Sequence, residues 1–261
     1  MKILVFVKQV PDTDTVKLDP VTGNLRREGV VSTVNPADLN AVEAALRLKE
    51  ARGGTVTAVT MGPPQAAEVL KKALALGCDD AYLLSDRAFG GADTLATAYT
   101  LSRAAEKIGD YDLLLFGRNA VDGDTAQTGP ATAAFLDLPQ VTLVSSLELR
   151  DSWLYCERTL EERIELVRVK LPAVVCVCRE INTPRYPTLM NIMKASKKPL
   201  TVWGAADIEA DTAQTGGKGS PSSTKKVFEP EKRNTDTVYF SGSAEEMAAQ
   251  FADLLENQHL L

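Results

Sequence analysis

Residues 55–84 read TVTAVTMGPPQAAEVLKKALALGCDDAYLL, and this stretch decides the fold. Thr55–Thr60 is a strand-like run. Met61-Gly62-Pro63-Pro64 is turn chemistry. A helix is predicted from there to Ala75, ending near Gly77. Ala81–Leu84 is the next apolar strand. Strand, helix and strand within about 30 residues make a βαβ unit, whose two strands run parallel.

Working outward, Lys2–Val7 (KILVFV) is a continuous apolar run, as expected of a strand buried on both faces. Asp19-Pro20-Val21-Thr22-Gly23-Asn24 predicts the turn of an excursion hairpin. Asn35-Pro36-Ala37-Asp38 opens a helix, with Asn35 as N-cap, Pro36 at the first helical position and Asp38 favouring the positive helix start. That helix is predicted to reach about Arg52, with Leu39, Val42, Ala45, Leu46 and Leu48 as its apolar stripe, before Gly53-Gly54. Beyond Leu84, Ser85–Asp93 reads as a loop, Thr94–Lys107 as a helix and Tyr111–Phe116 (YDLLLF) as a strand. Gly117–Pro130 is a polar loop feeding a helix that ends near Asp137, and Val141–Val144 is a fifth strand. Strands alternating with helices in this way predict an α/β protein with a doubly wound parallel sheet.

The pattern changes after about Ser145. Leu147–Arg158 and Arg163–Lys170 alternate and predict an antiparallel hairpin, and Pro172–Cys178 predicts another buried strand. Thr183-Pro184-Arg185-Tyr186-Pro187 is a Pro-stiffened loop leading into a short helix through Lys194. Leu189 follows Pro187 too closely to lie deep in that helix and is expected to be exposed. Ile192 and Met193 are expected to pack on the core. Residues 1–210 are read as the α/β domain and 211–261 as an extended arm with a terminal helix, because 211–233 is rich in Gly, Ser, Thr, Lys and Pro. Ser243 caps that last helix, where Met247, Phe251, Leu254 and Leu255 form one apolar stripe. A docking place on this chain and one on a partner both remain open.

Composition narrows the chemistry. Of 261 residues, 25% are charged and 44% hydrophobic, which is ordinary for a globular chain. Lys plus Arg is 29 and Asp plus Glu is 35, giving −6, which argues against a general nucleic-acid binder. One histidine, His259, excludes a Ser-His-Asp triad, a Cys-His dyad and an H-E-x-x-H zinc site within the chain. Redox or group-transfer chemistry therefore has to come from a cofactor or partner, and no catalytic residue is assigned. Cys78, Cys156, Cys176 and Cys178 form no C-x-x-C. They are expected to be small buried residues, with a redox or metal pair at Cys176 and Cys178 as the alternative. The N-terminal apolar run is too short for a signal peptide, and no run approaches the ~20 residues of a membrane span. The expectation is a reduced, cytoplasmic protein.

In an open parallel sheet, ligands sit beyond the carboxyl ends of the strands. Five segments fall there: Lys8–Asp12, Asn35–Asp38, Met61–Pro64, Ser85–Asp93 and Gly117–Pro130. The last reads GRNAVDGDTAQTGP, has three glycines and ends at a helix start, where backbone N–H groups can cradle phosphate. Asp122 and Asp124 are expected to hold the loop by accepting backbone N–H bonds, leaving Thr125, Gln127 and Thr128 to face a ligand. A polar loop with no ligand is the alternative, since there is no G-x-G-x-x-G after the first strand and no Walker loop. GGKGSPS, Gly216–Ser222, looks phosphate-binding but is read as flexible arm.

VKQVPD, NPAD, MGP and AVDGDTAQTGP, followed by LPAVVCVCREINTPRYPTLMNIMKASKKPL from Leu171 to Leu200, together resemble the β subunit of electron transfer flavoproteins over essentially the full chain. The resemblance implies a Rossmann-like body of the adenine nucleotide α-hydrolase type and a heterodimer with a homologous α subunit. It implies an arm that clasps that subunit. Carried onto this sequence, the nucleotide pocket comprises Phe6, Asn35, Ala37, Asp38, Met61, Gly117, Arg118, Asn119, Ala120, Val121, Asp122, Gly123, Asp124, Thr125, Ala126, Gln127 and Thr128. Ordinary members hold AMP there, with one FAD mainly on the α subunit. Gly123 stands where those members carry an acidic residue. SDRAFGGADTLAT, Ser85–Thr97, resembles the electron-bifurcating members, whose β subunit holds a second FAD. Gly90 and Gly91 would open space, Thr94 and Thr97 would offer hydroxyls to the flavin, and Asp93 is counted with them in the site; an ordinary loop with Asp93 as the N-cap of the following helix is the alternative.

The implied reaction takes electrons from NADH, sending one to ferredoxin or flavodoxin and the other to an acyl-CoA dehydrogenase-type flavoenzyme. NADH-oxidising activity is implied only for the bifurcating complex. Arg185, Tyr186, Leu189 and Met190 would meet the dehydrogenase, with Lys194, Lys197 and Lys198 nearby to steer an acidic partner. Two alternatives stand: a non-bifurcating carrier holding structural AMP, and a nucleotide-binding protein of the universal-stress type.

Overall fold

A computed structural model describes residues 1–12, 32–223 and 237–260. The strands are β1 (Lys2–Phe6), β2 (Gln9–Pro11), β3 (Ser32–Val34), β4 (Thr55–Met61), β5 (Asp80–Leu84), β6 (Leu113–Gly117), β7 (Gln140–Arg150), β8 (Trp153–Thr159), β9 (Ile164–Lys170), β10 (Ala173–Val177) and β11 (Thr201–Trp203). The helices are α1 (Pro36–Arg52), α2 (Ala67–Leu76), α3 (Thr94–Ile108), α4 (Thr128–Phe135), α5 (Leu189–Lys197), α6 (Gly216–Gly219) and α7 (Ala244–Asn257).

Among the described residues, nine strands form one sheet in the order β11-β5-β4-β1-β6-β10-β7-β8-β9. It is parallel from β11 to β7, and β8 and β9 join antiparallel. The central strands are buried on both faces, and their alternation serves two cores. Ile3, Val5, Leu113 and Leu115 face one core, with Val42 and Leu46 of α1 and Leu70 of α2. Leu4, Phe6, Leu114 and Phe116 face the other, with Leu101 of α3 and Ala133 of α4. This is the α/β doubly wound arrangement expected from the sequence. The chain runs from β1 outward through β4 to β5, then returns past β1 to β6. The order therefore reverses at the β1–β6 boundary.

Several elements differ from expectation. The fifth strand does not stop at Val144; β7 continues to Arg150, parallel to β10 at one end and antiparallel to β8 at the other. The stretch read as one strand, Leu147–Arg158, turns at Asp151-Ser152, where Asp151 adopts φ 53°. Leu147 and Leu149 before the turn and Trp153 and Tyr155 after it keep the same odd-numbered alternation, which hid it. The edge strand β11 was not expected; three residues are too few for a periodic signal. β2 and β3 pair antiparallel, while the hairpin turn at Asp19–Asn24 lies outside the described residues.

The compact body runs from Met1 to Lys226 and a second unit from Val227 to Leu261. The Gly216–Ser222 stretch is therefore not flexible arm. Gly217 N–H donates to Gly90 O at 2.9 Å, and Ser222 Oγ donates to Asp93 at 2.8 Å. The rest of the expected linker, 224–233, lies outside the described residues. In the second unit, Ser243 and Glu246 form a reciprocal capping box at the start of α7.

α5 buries only Ala195. Leu189 is 75% exposed, as expected, but Ile192 and Met193 are exposed too, at 46% and 58%, against the expectation of core packing. What holds this region is the polar flank of α1. Asn40 donates to Asn182 O at 2.7 Å, and Asn182 donates back to Asn40 O at 3.0 Å. Arg185 does not reach outward to steer a partner. Its guanidinium donates to Glu43 at 2.8 Å and also to Glu50, and its backbone N–H donates to Glu43 at 3.2 Å. Burial works against the Glu43 carboxylate, but hydrogen bonds from Arg185 and Arg47 outweigh it and hold its carboxyl below the usual range.

Arg185→Ala leaves the near-buried Glu43 short of its partner and is expected to lower unfolding stability by about 2 kcal/mol in urea titration. Arg185→Lys should recover less than half, because an ammonium cannot fork across two carboxylates. A loss below about 0.5 kcal/mol for the alanine variant would mean that the clamp is not holding the loop.

Candidate functional site

The carboxyl ends of β1, β4 and β6 open into a cleft of about 420 Å³. Phe6 and Phe116, at the ends of the two strands where the order reverses, stack with ring centroids 4.3 Å apart and planes 5° apart. Gly117 follows Phe116, and a Cβ there would overlap Asp38 and Ala37, so only glycine lets β6 approach α1 this closely.

Asn35 sits at the N-cap position of α1 but makes no side-chain cap hydrogen bond. Its amide instead reaches the 117–128 loop, donating to Asn119 O at 2.8 Å and accepting from Val121 N–H at 3.1 Å. Asp38 likewise does more than sit in the first turn. It accepts from the Lys8 N–H at 2.8 Å. Burial pushes its carboxyl up to about 7, against hydrogen bonds from Asn35, Lys8 and Gly117 and the pull of the Lys8 ammonium. Asp122 and Asp124 hold the loop, though through side chains rather than the expected backbone N–H groups: Lys8 Nζ lies 2.7 Å from Asp122, and the Asn119 amide donates to Asp124. Asp124 and Ala126 take positive φ, 48° and 53°, which folds the loop back toward α4.

Of the residues expected at the site, the cleft wall brings together Phe6, Asp38, Met61, Asp93, Thr94, Thr97, Gly117, Arg118, Asn119, Ala120, Gly123, Asp124, Thr125, Ala126, Gln127 and Thr128. Asn35, Ala37, Val121 and Asp122 are not on the wall; Asn35 and Asp122 support the loop from behind. Gly90 and Gly91 do not open space for a ligand. They receive Gly216 and Gly217 instead. Asp93 caps α3 with hydrogen bonds from Leu95 and Ala96 N–H. Burial raises its carboxyl, but these bonds and those from Ser222 leave it below the usual range.

Sequence reasoning missed Thr60 and Ser222. Thr60, on β4, lines the cleft and is buried, and its hydroxyl has no hydrogen-bond partner. Its place in a strand already assigned to the ligand end of the sheet was the available signal. The N-terminus of α4, at Gln127, Thr128 and Gly129, opens onto the cleft and suits an anion. Arg118 enters the cleft with no carboxylate partner among the described residues. Neutral hydroxyls, aromatic rings, a helix start and a cation together can accommodate a nucleotide.

Burial pushes the thiols of Cys78, Cys156 and Cys176 up to about 12, so these are packed core residues and not thiolates. No helix among the described residues is long and apolar enough to cross a membrane.

A doubly wound sheet with a nucleotide-sized cleft at its reversal point defines a class of nucleotide-binding α/β proteins. The electron transfer flavoprotein domain matches residues 22–208. The chain is 46% identical over 262 aligned positions to the electron transfer flavoprotein subunit beta of Thermoanaerobacterium thermosaccharolyticum, covering all of both chains. It is 45% identical to the subunit beta of Clostridium acetobutylicum and 44% to the caffeyl-CoA reductase-Etf complex subunit CarD of Acetobacterium woodii, again over all of both chains. The chain belongs to the electron transfer flavoprotein family, among its β subunits. The universal-stress-type alternative is set aside by this full-length match.

Asp38 titrates higher when folded, about 7 against 3.8 unfolded, so the native state binds more protons between those values. Its stabilising contribution is complete below about pH 4 and is lost as pH rises through 7. Asp38→Asn should therefore remove a fall in stability across pH 4–7 of at most roughly 4 kcal/mol. Parallel pH profiles for variant and parent in urea titration would refute this.

Proposed function

We propose that this chain forms a heterodimer with an electron transfer flavoprotein α subunit, and that its cleft holds FAD in a bifurcating complex. The observation that carries the reading is the unpartnered Thr60 hydroxyl on the cleft wall, next to Met61 at the strand end and sharing the cavity with the start of α4. A buried hydroxyl left unpaired is unfavourable, and a polar ligand atom removes that penalty. FAD held here would supply the redox chemistry that this chain's side chains lack, accepting hydride equivalents from NADH and releasing single electrons toward ferredoxin or flavodoxin and toward a dehydrogenase flavin.

The chain's own residues bind and orient. The α4 start and Arg118 would hold the phosphates, Thr94 and Thr97 would hold the sugar or ribityl hydroxyls, and the Phe6–Phe116 stack would wall the apolar side. Gly123 has open space around its α-carbon and presents no carboxylate. The cleft volume also suits a mononucleotide, which supports AMP as the second reading. The α7 stripe of Met247, Phe251, Leu254 and Leu255 is offered to the α subunit.

Co-purification with the α subunit, denaturation and nucleotide counting separate the two readings. Two FAD per heterodimer are expected, and one FAD plus one AMP would overturn FAD binding in this cleft. Thr60→Val should weaken nucleotide retention by about fivefold without lowering the Tm of the nucleotide-free protein. Unchanged retention would remove Thr60 from the ligand site.

The exposed apolar group on α5 and its loop, Tyr186, Leu189, Met190, Ile192 and Met193, is read as the docking point for an acyl-CoA dehydrogenase-type flavoenzyme. One relative's membership of a caffeyl-CoA reductase-Etf complex supports a partner of that kind. A buried leucine is worth roughly 1.5–3 kcal/mol, so Leu189→Ala should slow electron delivery at least about tenfold at subsaturating partner while flavin content stays constant. Equal rates for variant and parent would show that the anchor lies elsewhere.

A further inference from the structure

The strap that ends the body crosses the rim of the cleft, and one carboxylate ties the two together. Gly216 has φ +55° and lies against the carbonyls of Ala88 and Gly90, where a Cβ would collide. Gly217 N–H donates to Gly90 O at 2.9 Å, and Thr215 is buried at the turn into α6. Ser220 Oγ sits 2.8 Å from the Asp93 N–H, which donates to it. Asp93 then divides its two oxygens. One accepts the Leu95 and Ala96 N–H groups and so caps α3. The other accepts the Ser222 N–H at 3.2 Å and its hydroxyl at 2.8 Å. Ser222 is exposed, yet it lines the cleft beside Thr94 and Thr97. Three neutral hydroxyls thus converge on one side of the cleft, and one of them belongs to the strap.

We propose that Ser222 is a ligand-contacting residue for the ribose or ribityl hydroxyls of the bound nucleotide, and that occupancy of the cleft latches the strap, residues 214–222, onto the Gly90–Asp93 rim. This rests on the nucleotide reading above and deepens it. With its proton given to Asp93, the Ser222 Oγ keeps lone pairs that can accept from a sugar hydroxyl. A ligand spanning Thr94 and Ser222 bridges the body and the strap, so each stabilises the other's position.

The test uses the full chain in complex with its α subunit, stripped of nucleotide and reloaded with FAD or with AMP. Amide hydrogen exchange over residues 214–222 should slow at least about fivefold on loading. Ser222→Ala should release nucleotide about fivefold faster and lose the loading-dependent protection, while the Tm of the nucleotide-free complex stays within error of the parent. Ser222→Thr, which keeps the hydroxyl, should restore both. A complex that retains nucleotide but shows the same strap exchange loaded and empty would overturn this inference and leave the nucleotide reading standing. Equal loss of Tm in the free and loaded states of Ser222→Ala would make the serine structural only, which also overturns it. A chain that retains no nucleotide at all would overturn both.

Discussion

The amide of Asn35 is spent on the 117–128 loop and on the Asp38 carboxyl and does not cap the backbone of the helix it precedes, and the cleft depends on that choice. An asparagine before a Pro-led helix ordinarily caps it. Here both ends of the amide are engaged by the Asn119–Val121 segment, nearly ninety residues on in sequence. Three residues later, Asp38 is drawn under the Lys8 N–H and against Gly117. The start of α1 is thus the fixed point to which β1, β6 and the 117–128 loop are all referred. The loop's unusual backbone at Asp124 and Ala126 is sustained because it is anchored from behind.

That anchoring leaves the cleft face of the loop unused by the protein itself. Asp122 points to Lys8, Asp124 to Asn119, and Asp93 to the α3 start and the strap. The carboxylates nearest the cleft are therefore occupied in holding walls, which lowers the repulsion an anionic ligand would meet. Among the described residues two buried side-chain polar atoms lack a hydrogen-bond partner, Arg103 Nε and Thr60 Oγ1, and Thr60 lies on the cleft wall, where a ligand would. The same division of labour appears on the other side of α1. Glu43, Glu50 and Asn40 hold the 179–185 segment, and α5 is free to present apolar side chains outward.

What the sequence determined by itself is the order and type of the main elements. Continuous apolar runs such as Lys2–Val7 and Pro172–Cys178 read as buried strands, because a sheet covered on both faces can bury them. Of the helices between them, α2 and α3 carry one apolar face each while α1 is buried almost all round, and glycines at 53, 77 and 109 end them. Sixteen of the residues expected at the site line one cavity because strand ends in a parallel sheet converge as a matter of topology.

Tertiary structure decided what each polar side chain does with its alternatives. Asn35 could cap or reach across, and long-range partners settled it. Arg185 looked like a surface cation for a partner, but two carboxylates on α1, 135 and 142 residues away in sequence, claimed its guanidinium. Ile192 and Met193 have the spacing of a core stripe, and only the seating of α5 through Ala195 leaves them exposed. Gly216–Ser222 has the composition of a linker, yet glycine-to-glycine contact with the 90–91 turn packs it against the body. Composition and periodicity report a residue's local preferences. A hydrogen-bonding group with several acceptable partners, or a glycine with several acceptable conformations, is assigned only when the fold brings one partner within reach.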